Sequence, residues 1–418
     1  MDAREERGLI IAAKVKLNRT SPNRWLVPSQ TGAERIYEVD PVQKTCTCPD
    51  HKESGYTCKH IHAVKFTIER ETREDGTIIE TRSITLTEKK IYRQDWTSYN
   101  LAQTTERHRF SELLFDLCKG IPAQVREPGQ GGRPRVPMAD VIFAIALKIY
   151  GTLSSRRTAC DIKDAHAKGY LSRPIHYNSV NGYLENAEVT PILERMIGQS
   201  AMPLRSVDHD FAIDSSGFST SKFIRWYDEK YGITRKKHSW VKVHLCTATK
   251  SNIVTAVRIL DKDAADSPQF VPLAKETAER FTIAEMSSDK AYLSYANLEV
   301  ISELGGTPFI AFKENSWSGR AGTVWQKMYG YYQFRQQEFM NHYHKRSNVE
   351  STFSMIKRKF GDAVRSKSDV AMKNEVLGKI LCHNICVVIA SQCELGIEPV
   401  FWPEERSPND RILTVGPV

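Results

Sequence analysis

The sequence contains no run of eighteen consecutive apolar residues, the approximate length that a membrane-spanning helix requires. The apolar segment DVIFAIALKIY is far too short to cross a bilayer. The N-terminal residues MDAREERGLI are charged and lack the apolar stretch of a secretory signal. The sequence also has no internal repeat and no low-complexity tract. These absences argue against a membrane, secreted or repeat protein and predict a globular protein of the cytoplasm.

Cysteine is scarce, at nine residues in a chain of 418. An odd number of cysteines in a cytoplasmic protein argues against disulfides, so clustered cysteines are interpreted first as metal ligands. Charged residues make up 26% of the chain, as in ordinary globular proteins, and the length allows two or three domains. Lysine and arginine outnumber aspartate and glutamate by 59 to 50. This excess suits a polyanionic partner such as nucleic acid, although many basic proteins bind none.

Four side chains that can bind metal lie close together in the pattern C-x-C-x9-C-x-H. They are Cys46, Cys48, Cys58 and His60. Thiolate and imidazole groups in a set of four are the ligands of tetrahedral Zn²⁺. In a segment with so little core, the metal would supply much of the folding free energy. His51 and His62 lie nearby, and either could replace His60.

This segment resembles a SWIM zinc finger over about residues 24–66. RWLV and RIYEV are interpreted as two short strands before the cysteines, and a helix is predicted from Lys59 onward. The resemblance implies a structural zinc ion and binding to either DNA or protein.

The middle of the chain is predicted to be helical. MADVIFAIALKIYG, SSRRTACDIKDAHAKG, YNSVNGYLEN and TPILERMIG each fit a helix, the last with Thr190 as its N-cap and Pro191 in its first turn. Short helices joined by tight turns are typical of helix-turn-helix DNA-binding regions and equally of structural helical domains. Residues 121–137 are rich in Pro, Gly and Arg and are predicted to form a linker or basic loop. TIIETRSITL is predicted to be a strand or a connector.

From about residue 207 the pattern predicts an α/β sheet with element order βββαβαβ, followed by a long helix. Asp214 ends the first strand, FAID, and Asp289 ends the fourth, TIAEMSSD. In a sheet of this order the first and fourth strands are neighbours. Both carboxylates are therefore expected at the carboxyl ends of adjacent strands, where α/β sheets place their functional sites.

The segment YHKRSNVESTFSMIKRKFG, residues 343–361, is interpreted as one helix that packs on this sheet. Its apolar stripe consists of Val349, Phe353, Ile356 and Phe360. A second stripe beside it consists of Tyr343, Arg346, Glu350 and Lys357, at 3.6 residues per turn. Glu350 is thus expected at the shoulder of the core, where it and the two aspartates can hold two Mg²⁺ or Mn²⁺ ions for phosphoryl transfer. Alternatively, Glu350 is one surface anion paired with Arg346 four residues earlier.

With this strand order and the spacing Y-x2-R-x3-E-x6-K, residues 207–395 resemble the catalytic domain of DDE transposases of bacterial and archaeal insertion sequences, which has the RNase H-like fold. The resemblance implies a metal-binding triad of Asp214, Asp289 and Glu350. It implies DNA-phosphate contacts by Arg346 and Lys357, with Tyr343 stacking or hydrogen-bonding nearby. Some relatives carry a β-rich insertion before the glutamate that helps form a DNA hairpin. The roughly sixty residues between Asp289 and Glu350 leave little room for one.

The resemblance also implies double-stranded DNA as the partner, a homodimer or higher oligomer at synapsis, no membrane, and a nucleoid-associated place in a prokaryotic cytoplasm. The predicted function is a DNA transposase that binds terminal inverted repeats and cleaves and joins strands. The alternatives are a transposase-derived DNA-binding protein without activity and a metal-dependent nuclease that does not join strands.

The predicted organisation has five parts. They are a SWIM-type finger at 1–70, a connector at 71–104, a helical DNA-binding or assembly region at 105–204, an RNase H-like catalytic domain at 205–395 and a tail at 396–418. The other acidic residues near the predicted strands are assigned to turns and caps, with Asp266 as a reserve candidate for a supporting role at the site. They are Asp208, Asp210, Asp261, Asp263 and Asp266. His238 and His244 are predicted to be surface or packing residues.

Overall fold

A computed structural model gives the structure of most of the chain. It describes residues 3–29, 35–72, 95–123, 135–220, 240–260 and 265–402. The chain divides into two compact units, residues 1–93 and 94–418. The predicted strand or connector TIIETRSITL lies outside the described residues, as do residues 124–134 of the predicted basic loop.

The first unit is built on a small antiparallel sheet with strand order β1-β2-β3-β4. The strands are β1 (Asn18–Ser21), β2 (Arg24–Pro28), β3 (Ile36–Asp40) and β4 (Thr45–Cys46). The helices are α1 (Ala3–Lys14), α2 (Pro49–Ser54) and α3 (Lys59–Thr72). The two predicted strands are β2 and β3, and the helix predicted from Lys59 is α3. Three of the buried residues in the small core are cysteines, so this unit has little apolar material to stabilise it.

The second unit begins with five helices in its described part. They are α4 (Trp96–Cys118), α5 (Met138–Tyr150), α6 (Ser155–Ala167), α7 (Tyr177–Leu184) and α8 (Val189–Ser200). The apolar segment DVIFAIALKIY lies in α5, which is buried along almost its whole length. The predicted N-cap of α8 is wrong, because the helix begins at Val189. Thr190 instead donates a hydrogen bond to Asn374 Oδ1 (2.7 Å), which ties α8 to the C-terminal helix.

A five-stranded mixed sheet with order β7-β6-β5-β8-β9 forms the centre of the second unit. The strands are β5 (Asp210–Ser219), β6 (Trp240–Ala248), β7 (Val254–Leu260), β8 (Glu285–Ser288) and β9 (Thr307–Ile310). The first three strands are antiparallel to one another, whereas β8 and β9 run parallel to β5. The crossover helices are α9 (Phe270–Ala278) and α10 (Tyr295–Glu303). This is the predicted RNase H-like sheet, and its first and fourth strands are neighbours as expected.

The segment that contains Glu350 is less regular than predicted. It comprises α11 (Val324–Phe334), α12 (Gln336–Tyr343) and α13 (Ser347–Phe360), with a 3₁₀ turn at His344–Arg346 between the last two. The single helix expected over 343–361 is therefore wrong, and Tyr343 and Arg346 precede the helix that carries Glu350. The apolar stripe is confirmed, since Val349, Phe353, Ile356 and Phe360 are all buried.

The C-terminal helix α14 (Asp369–Leu395) is the core helix of the second unit. It packs against α4, α5 and α8. This described helix is long and apolar enough to cross a membrane by length and composition, but 78% of its most apolar window is buried inside the protein. Its hydrophobicity is explained by that burial.

Candidate active site and metal centre

The four predicted zinc ligands converge in the first unit. Cys46 ends β4, Cys48 precedes α2, and Cys58 and His60 lie at the start of α3. All four are buried, and their ligand atoms lie within 4.8 Å of one another. His60 directs Nδ1 at the cluster, 3.8 Å from Cys46 Sγ and 3.9 Å from Cys58 Sγ. Three cysteine sulfurs and one imidazole nitrogen in this arrangement fit a tetrahedral zinc site.

The choice among the three histidines is decided by their contacts. His51 is outside the cluster, and its Nδ1 is hydrogen-bonded to Tyr56 O at 2.8 Å. His62 also lies outside the group of converging ligand atoms. Backbone N–H groups donate to Cys46 Sγ and Cys48 Sγ at 3.4 Å, which opposes the rise in the pKa of Cys46 caused by its hydrogen bond with Cys58 and the rise in the pKa of Cys48 caused by burial. Hydrogen bonding from the Cys46 thiol lowers the pKa of Cys58 to about 3.

The three predicted catalytic carboxylates lie near one another on the sheet of the second unit. The prediction that Asp214 ends its strand is wrong, because β5 continues to Ser219. Ile213 of β5 pairs with Ser288 of β8, so Asp214 and Asp289 follow directly on paired positions. Burial raises the pKa of Asp214, and the negative charges of Asp289 and Glu350 raise it further. The backbone N–H of Ser215 donates to Asp214 Oδ1 (2.8 Å) and opposes this rise. The three carboxylates therefore interact electrostatically at the site.

The predicted position of Glu350 at the shoulder of the core is wrong. Its side chain is 58% exposed, whereas that of Asp214 is 18% exposed. Glu350 lies in the first turn of α13, which directly follows the 3₁₀ turn, and its side chain faces solvent. Its position beside Asp214 thus depends on a neighbouring cation rather than on burial.

That cation is Arg346. Its Nη1 lies 2.9 Å from Glu350 Oε1 and 3.5 Å from Asp214 Oδ2. The guanidinium also lies 5.7 Å from the centre of the Tyr343 ring, within the range of a cation–π contact. Unlike the cysteine cluster, the three carboxylates do not form a converged group of ligand atoms in the described part of the chain. Their oxygen donors and mutual charge fit a divalent cation, and Arg346 is the counter-ion of two of them.

A groove of about 530 Å³ opens beside these carboxylates, between β5 and α13. Asp214 and Glu350 line one part of it, and Lys357 and Arg358 line another. Lys357 Nζ donates to Ser216 Oγ (2.7 Å) and lies 5.3 Å from the centre of the Phe218 ring. Burial lowers the pKa of Lys357, which indicates that its ammonium group is poorly solvated in this groove. The groove therefore places one half-buried cation, Lys357, and one exposed cation, Arg358, next to acidic oxygens.

Three further residues, His244, Asp266 and Tyr292, lie next to the site and contact one another. Only Asp266 was a candidate from the sequence. His244 of β6 is fully buried, with Nδ1 3.1 Å from the Tyr292 hydroxyl and Nε2 3.7 Å from Asp266 Oδ1. Ser215, next to Asp214, donates to the same Asp266 oxygen at 3.4 Å. Burial lowers the pKa of His244 to about 4, so the imidazole is neutral at pH 7. Tyr292 lies three residues after Asp289, and this short separation is the feature of the sequence that could have indicated its place near the site.

The alternation in SWVKVHLCTAT could not reveal this role for His244. Val241, Val243 and Leu245 occupy one face of β6, which suggests that His244 faces solvent. In the structure both faces of the strand are covered, and His244 is a packing residue as predicted. His238, Asp261 and Asp263 lie outside the described residues.

The remaining acidic residues of the set are accounted for by other partners. Asp210 forms an ion pair with Lys345 (2.7 Å), which also contacts Glu285 (2.8 Å). Asp208 is buried and accepts a hydrogen bond from the backbone N–H of Ser251 (3.3 Å). Neither contacts the three carboxylates at the site, in the contacts that the structure describes.

The strand order and its connections define the second unit as an RNase H-like domain. More particularly, residues 205–385 match the family model of the transposase DDE domain, and residues 30–69 match that of the SWIM zinc finger. The chain thus carries a DDE transposase domain behind a SWIM zinc finger.

Two further comparisons add little to this assignment. A search of curated protein sequences finds no match. A solved structure of a piggyBac transposase synaptic complex with hairpin DNA matches with 11% identity, over 70% of this chain and 74% of that chain. Its TM-score of 0.31 marks a weak likeness.

Proposed function

We propose that the protein is a DNA transposase that binds the terminal inverted repeats of its element, cleaves strands at the ends and joins them to target DNA. The supporting observation is the geometry within a transposase DDE domain: Asp214 and Asp289 follow paired positions of β5 and β8, and Arg346 links Asp214 to Glu350. The groove beside them contributes Lys357 and Arg358. Oxygen donors suit a divalent metal and the cations suit phosphate, and both are needed for phosphoryl transfer on DNA.

Asp214, Asp289 and Glu350 are the residues that would hold Mg²⁺ or Mn²⁺. A metal held there would supply activation of the attacking water or 3′-hydroxyl and stabilisation of the leaving oxygen. Asp214 is oriented for this role by the Ser215 N–H, and Asp289 by the Lys290 N–H, which donates at 2.6 Å. Asp214 lies within β5 and Asp289 directly follows β8, whereas Glu350 comes from the more exposed start of α13.

Lys357 and Arg346 are proposed to contact phosphates of the transposon end, with Tyr343 packed against the Arg346 guanidinium. Lys357 presents a half-buried charge to the groove, where an anion would relieve its poor solvation. The zinc finger and the helical region 105–204 would supply end recognition and assembly contacts. Synapsis of two ends would require a homodimer or higher oligomer, acting at the nucleoid in a prokaryotic cytoplasm.

The hairpin route is not part of this proposal. Residues 311–346 all lie in the described part of the chain and contain the helices α11 and α12 but no strand. The β-rich insertion that supports hairpin formation in some relatives is therefore missing between Asp289 and Glu350.

A strand-transfer assay tests the proposal. The substrate is double-stranded DNA that carries the inverted repeats flanking the gene, with supercoiled plasmid as target. We expect joined product from the wild type, and at least a roughly hundredfold loss of cleavage for Asp214→Asn and Glu350→Gln, with end binding largely retained. Glu303→Gln, an exposed carboxamide substitution at the end of α10, is the matched control.

Three outcomes would contradict the proposal in different ways. Binding of the ends without cleavage by the wild type would indicate a DNA-binding protein without activity. Cleavage without joined product would indicate a nuclease. Normal cleavage by Glu350→Gln would refute the assignment of the site.

A further inference from the structure

Two of the proposed metal-binding carboxylates already have a cation between them. Arg346 Nη1 contacts both Glu350 Oε1 (2.9 Å) and Asp214 Oδ2 (3.5 Å). The 3₁₀ turn before α13 places Arg346 there, and its side chain is only 24% exposed. A guanidinium is always charged and presents several N–H donors in a fixed plane, so this contact persists at any pH near neutrality.

A divalent metal and this guanidinium compete for the same oxygens. Mg²⁺ binds oxygen ligands at about 2.0–2.1 Å in near-octahedral geometry. An ion that takes Asp214 Oδ2 or Glu350 Oε1 as a ligand must therefore replace the contact of that oxygen with Arg346. The two cations also repel each other strongly at this distance in a partly buried site.

We propose that Arg346 is a resident counter-cation of Asp214 and Glu350, which a divalent metal must displace, and that a DNA phosphate receives the displaced guanidinium. The inference rests on the proposed function for its ligand, the phosphate of a transposon end. It explains how Arg346 can pair with carboxylates in the free protein and still serve as a DNA contact. The residue acts as a positioning group that moves between two anions.

The exchange of partners couples metal binding to DNA binding. Without DNA, metal binding must break the contacts of Arg346 with Asp214 and Glu350 and leave its charge beside a divalent ion. With DNA, two oxygens of one phosphate accept two parallel hydrogen bonds from the planar guanidinium. Each ligand therefore strengthens the other, and by linkage the factor is the same in both directions.

Calorimetric titration of Mn²⁺ into the full-length, zinc-loaded protein tests the inference, first alone and then with terminal-repeat DNA. We expect the wild type to bind Mn²⁺ about tenfold more tightly with DNA, a typical size for such coupling. Arg346→Gln is expected to bind Mn²⁺ about tenfold more tightly than the wild type without DNA, and to gain less than about twofold from DNA.

Arg205→Gln is the matched control for the loss of one positive charge. Arg205 is exposed and lies outside the lining of the groove. It is expected to leave both the Mn²⁺ affinity and the coupling to DNA unchanged. Both variants should fold, because the buried stripe of α13 is untouched.

The possible results separate the inference from the proposed function. Equal or weaker Mn²⁺ binding by Arg346→Gln without DNA overturns the inference alone, as does full coupling to DNA in this variant. Unchanged Mn²⁺ affinity in Asp214→Asn overturns the metal site itself, and with it both proposals. Tighter binding by Arg346→Gln with loss of coupling supports the inference independently of any cleavage assay.

Discussion

Five cations surround Glu350 in the sequence, and their surroundings in the structure differ. Lys345 pairs with Asp210 and Glu285, Arg346 with Asp214 and Glu350, and Lys357 with the Ser216 hydroxyl. Lys359 forms an ion pair with Glu106 of α4, and the exposed Arg358 lines the groove. These residues look alike in the sequence, yet Lys345 and Lys359 pair with carboxylates outside the site. The predicted i,i+4 pair of Glu350 with Arg346 exists, but it lies at the site rather than on an ordinary surface.

Tyr292 offers a residue-scale test of the support beneath the aspartates. Since neutral His244 directs Nε2 toward the Asp266 carboxylate, its Nδ1 accepts from the Tyr292 hydroxyl. We expect Tyr292→Phe to leave this nitrogen unpaired and to cost about 1–3 kcal/mol of unfolding free energy. If the pair positions Asp289, Mn²⁺ affinity should also fall by about tenfold, as measured by calorimetry.

Phe270→Leu, a change in the buried core beside Tyr292, is the control for a purely structural effect. It is expected to reduce stability by about 1 kcal/mol without changing Mn²⁺ affinity. Equal metal affinity in Tyr292→Phe and the wild type would show that Tyr292 only fills space.

At the scale of elements, α13 joins two functions in one helix. Its apolar stripe packs on the sheet, one flank presents Lys357 to the groove, and another sends Lys359 to Glu106. Glu106 is only 13% exposed and also accepts from the Tyr150 hydroxyl (2.8 Å), so the loss of Lys359 would affect folding rather than DNA.

Lys357→Ala should therefore change the salt dependence of end binding. Loss of one phosphate contact is expected to flatten the slope of log affinity against log salt by roughly 0.7 to 0.9. Lys275→Ala, an exposed lysine of α9 away from the groove lining, should keep the wild-type slope. Lys359→Ala should keep the slope and lower the melting temperature. A wild-type slope and affinity for Lys357→Ala would remove this residue from the DNA interface.

The zinc finger is the element whose stability depends most on a ligand. We expect about one zinc ion per chain, as a single four-ligand site requires. Cys58→Ser should lose the metal and make residues 46–60 sensitive to trypsin, because the small core cannot hold the fold alone. Cys160→Ser removes an exposed cysteine outside the cluster and should keep the zinc content. Elemental analysis that finds full zinc in Cys58→Ser would refute the ligand set.

At the scale of the whole second unit, α14 connects the helical region to the sheet. Asn384, in the middle of this helix, is fully buried. It accepts from the Val254 N–H of β7 (2.9 Å), and its amide donates to Ile197 O (3.1 Å) and Ser200 Oγ (2.9 Å) of α8. One side chain thus satisfies polar groups of a strand and a helix that are far apart in sequence.

Asn384→Ala should destabilise this unit by about 3 kcal/mol or more, since it leaves several buried polar groups without partners. Asn178→Ala on the exposed face of α7 should change the unfolding free energy by less than about 0.5 kcal/mol. Guanidinium unfolding curves provide the comparison. A small effect of Asn384→Ala would contradict this prediction. It would mean that water takes the place of the amide, although the side chain is completely buried.

The sequence by itself determined the features that depend on local pattern. Alternation and short apolar runs predicted β2, β3 and the five strands of the mixed sheet, because the period of side chains along a strand is intrinsic to the backbone. The ligand spacing predicted the zinc cluster, since residues two apart at a strand end or helix start can reach one ion. The apolar stripe of α13 followed from helical periodicity alone.

Only the tertiary structure decided which side chains meet across distant elements. His60, rather than His51 or His62, turns a ring nitrogen toward the cysteines, because it lies at the start of α3. The 3₁₀ turn at His344–Arg346 also brings Arg346 to Asp214, 132 positions away, which no helical periodicity could predict. The geometry of such a contact depends on packing that the local pattern does not encode.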